Sequence, residues 1–338
     1  MATSQNSVGD DQPIYAKQDF LNIEAELERA GSHIEYRGRA GWYFKKANPL
    51  PGQSLDDAAP NSMIVRNYIE FVGERALNVA TANGWDQWLT PMVISTKPIH
   101  GPNIDTHTAA TYMTNEILDW ESNPICTNLY NTLKVILPAN IDKIVAFGIG
   151  RIGNVHLNSP DRLFDVQSFR EYAYLLTVAK ALNDRKAAGE EQVAIYVQDP
   201  TYTSVCKEVL SRDFGFHIIG GYGARGFAMV DENTLVAGHH PNFPLREIIA
   251  DIARPAAMCW PFWGKYEFDR LPTRNKIIAA DIETDRVRAM LEEYQDVPIP
   301  GTRSKNTTLG QSEWNIAWLE EPFYDSKWYV RKSKVSSY

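Results

Sequence analysis

Three glycines, Gly148, Gly150 and Gly153, close the apolar run "KIVAFGIGRIGN" that begins at Lys143. Such a loop lets a phosphate or another flat ligand group approach the backbone, because glycine adopts left-handed conformations without a Cβ penalty. The spacing matches the dinucleotide fingerprint, but that fingerprint opens a helix at its glycines, and here "NVHLNSPDRLFD" intervenes. The acid such a site wants after its second strand would be Asp199, about 50 residues on, where a compact unit has it ~20 on. A nicotinamide or flavin dinucleotide, S-adenosylmethionine, and a turn that merely reverses the chain all stay open.

Other residues extend the chemistry. Asp199, in "VQDPTYT", is either a helix N-cap or a carboxylate offered to a cationic or hydroxylated ligand. In "SFREYAYLL" helical spacing puts Glu171 one turn from Tyr174, with Tyr172 on a neighbouring face; a carboxylate beside tyrosine hydroxyls could form an acid–base relay, against a solvated Glu171 with Arg170 beside it. His239 and His240 precede Pro241, and one of two adjacent histidines would face inward, as a structural residue or a catalyst.

From Lys143 on, short apolar runs alternate with amphipathic stretches. "KIVAFGI", "QVAIYVQD", "FHIIGG", "FAMVD", "TLVAGH" and a last "AAMCWPF" read as strands, and "FDVQSFREYAYLLTVAKALNDR", "TSVCKEVLSRDF" and "PLREIIADIA" as helices. This rhythm predicts a Rossmann-like α/β fold, a mainly parallel sheet with helices on both faces. Ligands bind beyond the carboxyl ends of such strands. That edge would collect Gly148 to Asn154, with Gly150 and Arg151 among them, then Gln198 to Tyr202, then His239 and His240, with Trp260 and Trp263 after the last strand.

The first 130 residues read as a mostly helical extension. Helices are expected over residues 17–30, from about Ser62 to Ala82 and from about Thr108 to Asp119, with a strand at "PMVISTKPI" and an irregular connection over residues 36–62. A boundary near residue 131 and a C-terminal tail from 301, packed on the domain, complete the division.

Composition narrows the class. With 34 basic and 42 acidic residues the net charge is −8, which argues against indiscriminate binding to DNA or an anionic membrane. No apolar run approaches the ~20 residues of a membrane span, and the N-terminus lacks a signal-peptide pattern, so a soluble cytoplasmic protein is expected. Cys126, Cys206 and Cys259 lack metal-ligand or disulfide spacing and are expected as buried thiols, with no metal site. No Gly-x-Ser-x-Gly elbow, Walker loop or His-Glu-x-x-His helix is present.

"KIVAFGIGRIGN", "FREYAYLLTVAKAL", "VAIYVQDPTYT", "VDENTLVAGHHPNFPLREIIADIARPAAMCW" and "DRVRAMLEEY" occur in the order seen in fungal proteins of the SRR-like (sensitivity to red light reduced) domain family, which residues 130 to 295 resemble. Many relatives carry Gln-His where this chain has Glu171-Tyr172, so chemistry resting on that His does not carry over, and the carboxylate gains interest. In length and layout the chain is also similar to a fungal group that makes arginine-containing cyclodipeptides from aminoacyl-tRNAs. That resemblance implies a catalytic domain related to class I aminoacyl-tRNA synthetases, arginyl-tRNA and a second aminoacyl-tRNA as partners, and no cofactor. Asp199 or Glu171 would then grip guanidinium, Tyr172, Tyr202, Trp260 and Trp263 would wall the second pocket, and Glu171 or His240 would be the base. Related bacterial enzymes use a serine after a strand, which "FGIGRIGN" lacks; Ser95 and Ser159 are the nearest. Two clusters could meet tRNA or be solvated surface: Arg37, Arg39, Lys45 and Lys46 around Trp42 and Tyr43, and Lys327, Arg331, Lys332 and Lys334 around Trp328 and Tyr329. The SRR-like family is otherwise described as regulatory, so a non-catalytic regulator is the alternative, with a nucleoside-cofactor enzyme third.

Overall fold

A computed structural model describes residues 13–38, 43–52, 57–83, 90–152, 162–238, 241, 243–261, 281, 283–297 and 326–333. Helix α1 (Lys17–Glu28) buries Phe20, Ile23, Glu24 and Leu27 along one stripe. Strand β1 (His33–Arg37), with Ile34 and Tyr36 turned inward, pairs antiparallel with β2 (Tyr43–Ala47), which lies inside the stretch from 36 to 62 expected to be irregular.

The helix expected from Ser62 to Ala82 is two elements, β3 (Met63–Phe71) and α2 (Glu74–Asn83). "MIVRNYIEF" is rich in β-branched and aromatic residues, which suit a pleated surface, and β4 (Met92–His100) pairs with its whole length. Two capped helices follow. Asp105 accepts from the Thr108 amide at the start of α3 (Thr106–Ser122), and Asn123 accepts from the Ile125 amide ahead of α4 (Pro124–Ile136), whose first residue is proline. Helices supply the larger share of regular structure before Lys143, alongside two antiparallel ribbons.

Next come β5 (Lys143–Phe147), α5 (Arg162–Asn183), β6 (Ala194–Gln198) and α6 (Ser204–Glu208), which runs into a π-helical turn over Val209–Asp213. Strand β7 (His217–Ile218), helix α7 (Arg225–Met229), strand β8 (Thr234–Gly238) and helix α8 (Leu245–Ile252) lead to β9 (Ala257–Pro261). The expected strand "FAMVD" is therefore mostly helix, and β9 is not the last strand. Helix α9 (Asp285–Leu291), β10 (Tyr294–Val297) and β11 (Ser326–Arg331) follow it.

Seven of these strands form one sheet in the order β10-β11-β9-β8-β5-β6-β7, parallel except at β11, which is antiparallel to both neighbours. Ile144 and Ala146 face a core shared with α3, α4 and α5; Val145 and Phe147 face a second core shared with α1, α7, α8 and α9. Burial on both faces explains the unbroken apolar run of β5 and establishes the Rossmann-like α/β architecture. Strand order diverges at β5: β6 and β7 lie on one side, β8 and β9 on the other. The crevice beyond the carboxyl ends of β5 and β8 is thus the topological switch point, where open α/β sheets place ligands. All three cysteines are free and buried.

Candidate functional site

Gly148 and Gly150 leave β5 with φ of 66° and 85°, the left-handed region that favours glycine. A Cβ on Gly150 would also lie 2.4 Å from Ser168 Oγ on α5, so the turn is packed as well as bent. The Gly148 amide donates to the Gln198 carbonyl (3.2 Å), and the Gly150 amide donates to Asp199 Oδ2 (3.2 Å). Asp199 Oδ1 accepts from the Thr201 amide (2.8 Å) and hydroxyl (2.6 Å). Asp199 therefore joins the β5 turn to its own Asx turn. It is not an N-cap: Thr203 caps α6, and Pro200 lies in the turn before it.

Beneath this turn sits a chain of hydroxyls. Tyr172 OH donates to the Gly150 carbonyl (2.7 Å), which leaves Tyr202 OH to donate to Tyr172 OH (2.7 Å). Burial pushes both phenols well above the usual tyrosine value, and the Asp199 carboxylate adds to the effect on Tyr202, so both stay neutral at physiological pH. Glu171, 2% exposed, lies close enough to act electrostatically on Tyr202. It is not a solvated residue paired with Arg170, whose guanidinium bonds Glu116 instead (2.9 Å). Cys206 Sγ accepts from the Ile152 amide (3.4 Å) and the Thr203 hydroxyl (3.3 Å), closing the far side of the turn.

The walls come from neighbouring segments. Gln198 donates to the Gly223 carbonyl (2.6 Å) and accepts from the Gly226 amide (2.6 Å), fastening the loop before α7 to the end of β6. Arg151 donates to the His100 carbonyl (3.4 Å), so the β3–β4 ribbon reaches the rim.

The structure thus brings together Gly148, Gly150, Arg151, Glu171, Tyr172, Asp199 and Tyr202. Trp260 is fully buried on β9, its ring tilted against Tyr329 (centroids 5.8 Å apart) in the core with α8, so it fills that core instead of walling a pocket. Gly153, Asn154, Ser159, His239, His240 and Trp263 lie outside the described residues. Ser168 and Thr203 carry no sequence signal that marks them for the site, and Cys206 reads in the sequence only as a buried thiol. The Asp-Pro-Thr triplet was the available signal for the Asx turn.

The two basic clusters differ from the expectation in one respect. Trp328 is fully buried and donates from Nε1 to Tyr174 OH (2.8 Å), and Tyr329 is 7% exposed, so neither offers a stacking face. Lys327 pairs with Asp296 (2.5 Å), Arg331 bonds the Arg254 carbonyl, and Lys332 bonds the Glu292 carbonyl. In the other cluster Tyr43 is 74% exposed, Lys45 lies 3.5 Å from Glu35, and Arg37 reaches Asp19. Arg39, Trp42 and Lys334 lie outside the described residues.

Among the described residues no helix is long and apolar enough to cross a membrane, and no group of His, Cys, Asp and Glu is placed to hold a metal ion. Comparison with known proteins identifies one family. The model described as SRR1 domain matches residues 130–326, from the middle of α4 to the start of β11. No curated protein and no solved structure matches the chain.

Proposed function

The chain belongs to the SRR1 domain family, and on that premise we propose that its switch-point crevice is the active centre of an aminoacyl-tRNA-dependent cyclodipeptide synthase, which joins arginine to a second amino acid. One observation carries this reading: the buried Glu171 carboxylate acts electrostatically on Tyr202, whose hydroxyl pairs with Tyr172 under a glycine turn that offers close backbone approach.

The reaction sets the demands. The amine of one aminoacyl group attacks the ester carbonyl of the other, forming an amide and releasing a ribose hydroxyl. The second amine then closes the ring on the remaining ester, and a second hydroxyl leaves. Each step takes a proton from nitrogen and delivers one to oxygen, which is work for a base held near the ester. Glu171 fills that role, close enough to Tyr202 to act on it electrostatically, while the Tyr202–Tyr172 hydroxyl chain fixes the Gly150 carbonyl of the turn. Asp199 spends both lone pairs of Oδ1 on Thr201 and one of Oδ2 on Gly150, so it has a single acceptor site left for a cationic group. Asp199 is therefore suited to orient an ammonium or one guanidinium N–H, not to grip guanidinium with two parallel bonds.

The test is expression in a bacterial host, which supplies every charged tRNA, followed by mass spectrometry of the extract. The expected result is a new mass equal to arginine plus a second residue less two waters. Glu171→Gln should lower product about 10²-fold or more while leaving the protein folded. A second reading, a non-catalytic regulator, draws on the burial of Tyr172, Tyr202 and Trp260, which spends those aromatics on the cores. Soluble protein with no new mass would favour it.

A further inference from the structure

Glu247, on α8, is 1% exposed, yet its carboxylate has one hydrogen bond: Oε2 accepts from the Glu74 amide (2.7 Å) at the start of α2. Oε1 is buried with no hydrogen-bond partner among the described residues. A buried charged oxygen in that state is costly, because the water it gave up has not been replaced.

The groups around it offer no dedicated cation. On α8 itself, Arg246 is committed to Asp281 through its backbone amide (2.9 Å) and Nε (3.1 Å), and Asp251 is held by Arg286 of α9 (2.6 Å). Arg286 also stands 4.0 Å from the Glu74 carboxylate. From the segment before α1, the Ile14 and Tyr15 amides donate to Asp251 Oδ2 (2.7 and 3.0 Å), and Tyr15 OH donates to the Val72 carbonyl (2.7 Å). Among the described residues, Tyr15, Glu74, Asp251, Asp281, Arg246 and Arg286 are thus titratable and charged groups that face Glu247. Its two positive neighbours are already paired to aspartates. Burial, with the charges of Asp281 and Glu74, pushes the Glu247 carboxyl up to about 7, against the pull of the Glu74 amide and Arg286.

Four segments meet here: residues 14–15, the β3–α2 junction, α8 and α9. Two of them lie before the family-matched region, and α8 follows directly on the segment leaving β8 at the switch point. We propose that Glu247 is a proton-operated fastener: neutral, it holds the β3–α2 junction and the segment before α1 against α8, and its ionisation loosens both. The neutral acid keeps Oε2 as acceptor for the Glu74 amide and removes the uncompensated charge from Oε1. The ionised form puts one more negative charge among Glu74, Asp251 and Asp281, and relief comes from separating the segments so that water enters.

The test uses the full chain. Melting of the wild type and Glu247→Gln is followed from pH 5 to pH 8. The glutamine imitates the neutral acid, so the two should melt alike at pH 5, and the variant should gain about 3 °C or more on the wild type by pH 8. A difference that stays constant with pH overturns the proposal. Should the variant fail to fold, hydrogen exchange on the wild type decides. After correction for intrinsic rates, protection of amides 14–15 and 72–78 should fall roughly tenfold between pH 5.5 and 8 relative to amides of β5, a shift of ~1.4 kcal/mol in local opening. Equal change in both sets overturns it.

Discussion

Glu24 and Glu247 are both 1% exposed, and each fastens an N-terminal segment to the sheet domain. Glu24, on α1, accepts from the Tyr222 amide (2.8 Å) and the Ala224 amide (2.7 Å), with Arg225 at 3.6 Å. Glu247 accepts from one amide, and its second oxygen has none. Burial pushes both carboxyls up, but at Glu24 two backbone amides and a guanidinium oppose the rise. Burial raises both, and the number of donors aimed at a buried carboxylate governs how strongly that rise is opposed.

The largest expected effect tests the clamp. Glu24→Ala leaves two buried amides without acceptors and should cost about 3 kcal/mol in a denaturant titration. If Glu247→Ala costs more than Glu24→Ala at pH 5, the donor count is not what separates the two junctions. The next effect concerns sign. Since the folded-state value of Glu247 lies above the ordinary one of 4.5, its favourable contribution is complete below pH 4.5 and disappears as pH rises through about 7. Stability measured across that window should fall by on the order of 2 kcal/mol in the wild type and less in Glu247→Gln. The smallest effect belongs to Arg225→Met. Its side chain is 37% exposed, so the Glu24 amides should hold the junction with a loss under about 1 kcal/mol in the same titration.

The parallel half of the sheet was legible because β5, β6, β8 and β9 are buried on both faces and read as apolar runs at regular intervals. What misled was local composition. "MIVRNYIEF" has apolar residues at offsets compatible with a helix, and only pairing with β4 settles it as strand. "FAMVD" has the residues of a strand, but Gly226 must pass close to Phe147 and Gln198, where a Cβ would come within 2.8 Å and 2.9 Å, and a helical turn brings it there. The glycine turn and its neighbours Asp199, Tyr172 and Tyr202 could be placed from strand order, since the carboxyl edge collects them. The bond from Asp199 back to Gly150 could not, because it spans 49 residues and depends on the twist of two strands. Glu247 escaped notice for the same reason: its environment comes from segments more than 170 residues earlier in the chain and from residues after β9.

The position of β11 constrains the order in which the protein can assemble during translation. Among the described residues β10 has no sheet neighbour except β11, and β11 is made after it, so this end of the sheet stays open until residue 331 has left the ribosome. Until then β9 presents an unpaired edge, and Trp328, which closes the core against Tyr174, is missing from it. Nascent chains halted before β11 should therefore expose a ready template for strand addition, the kind of surface that chaperones cover.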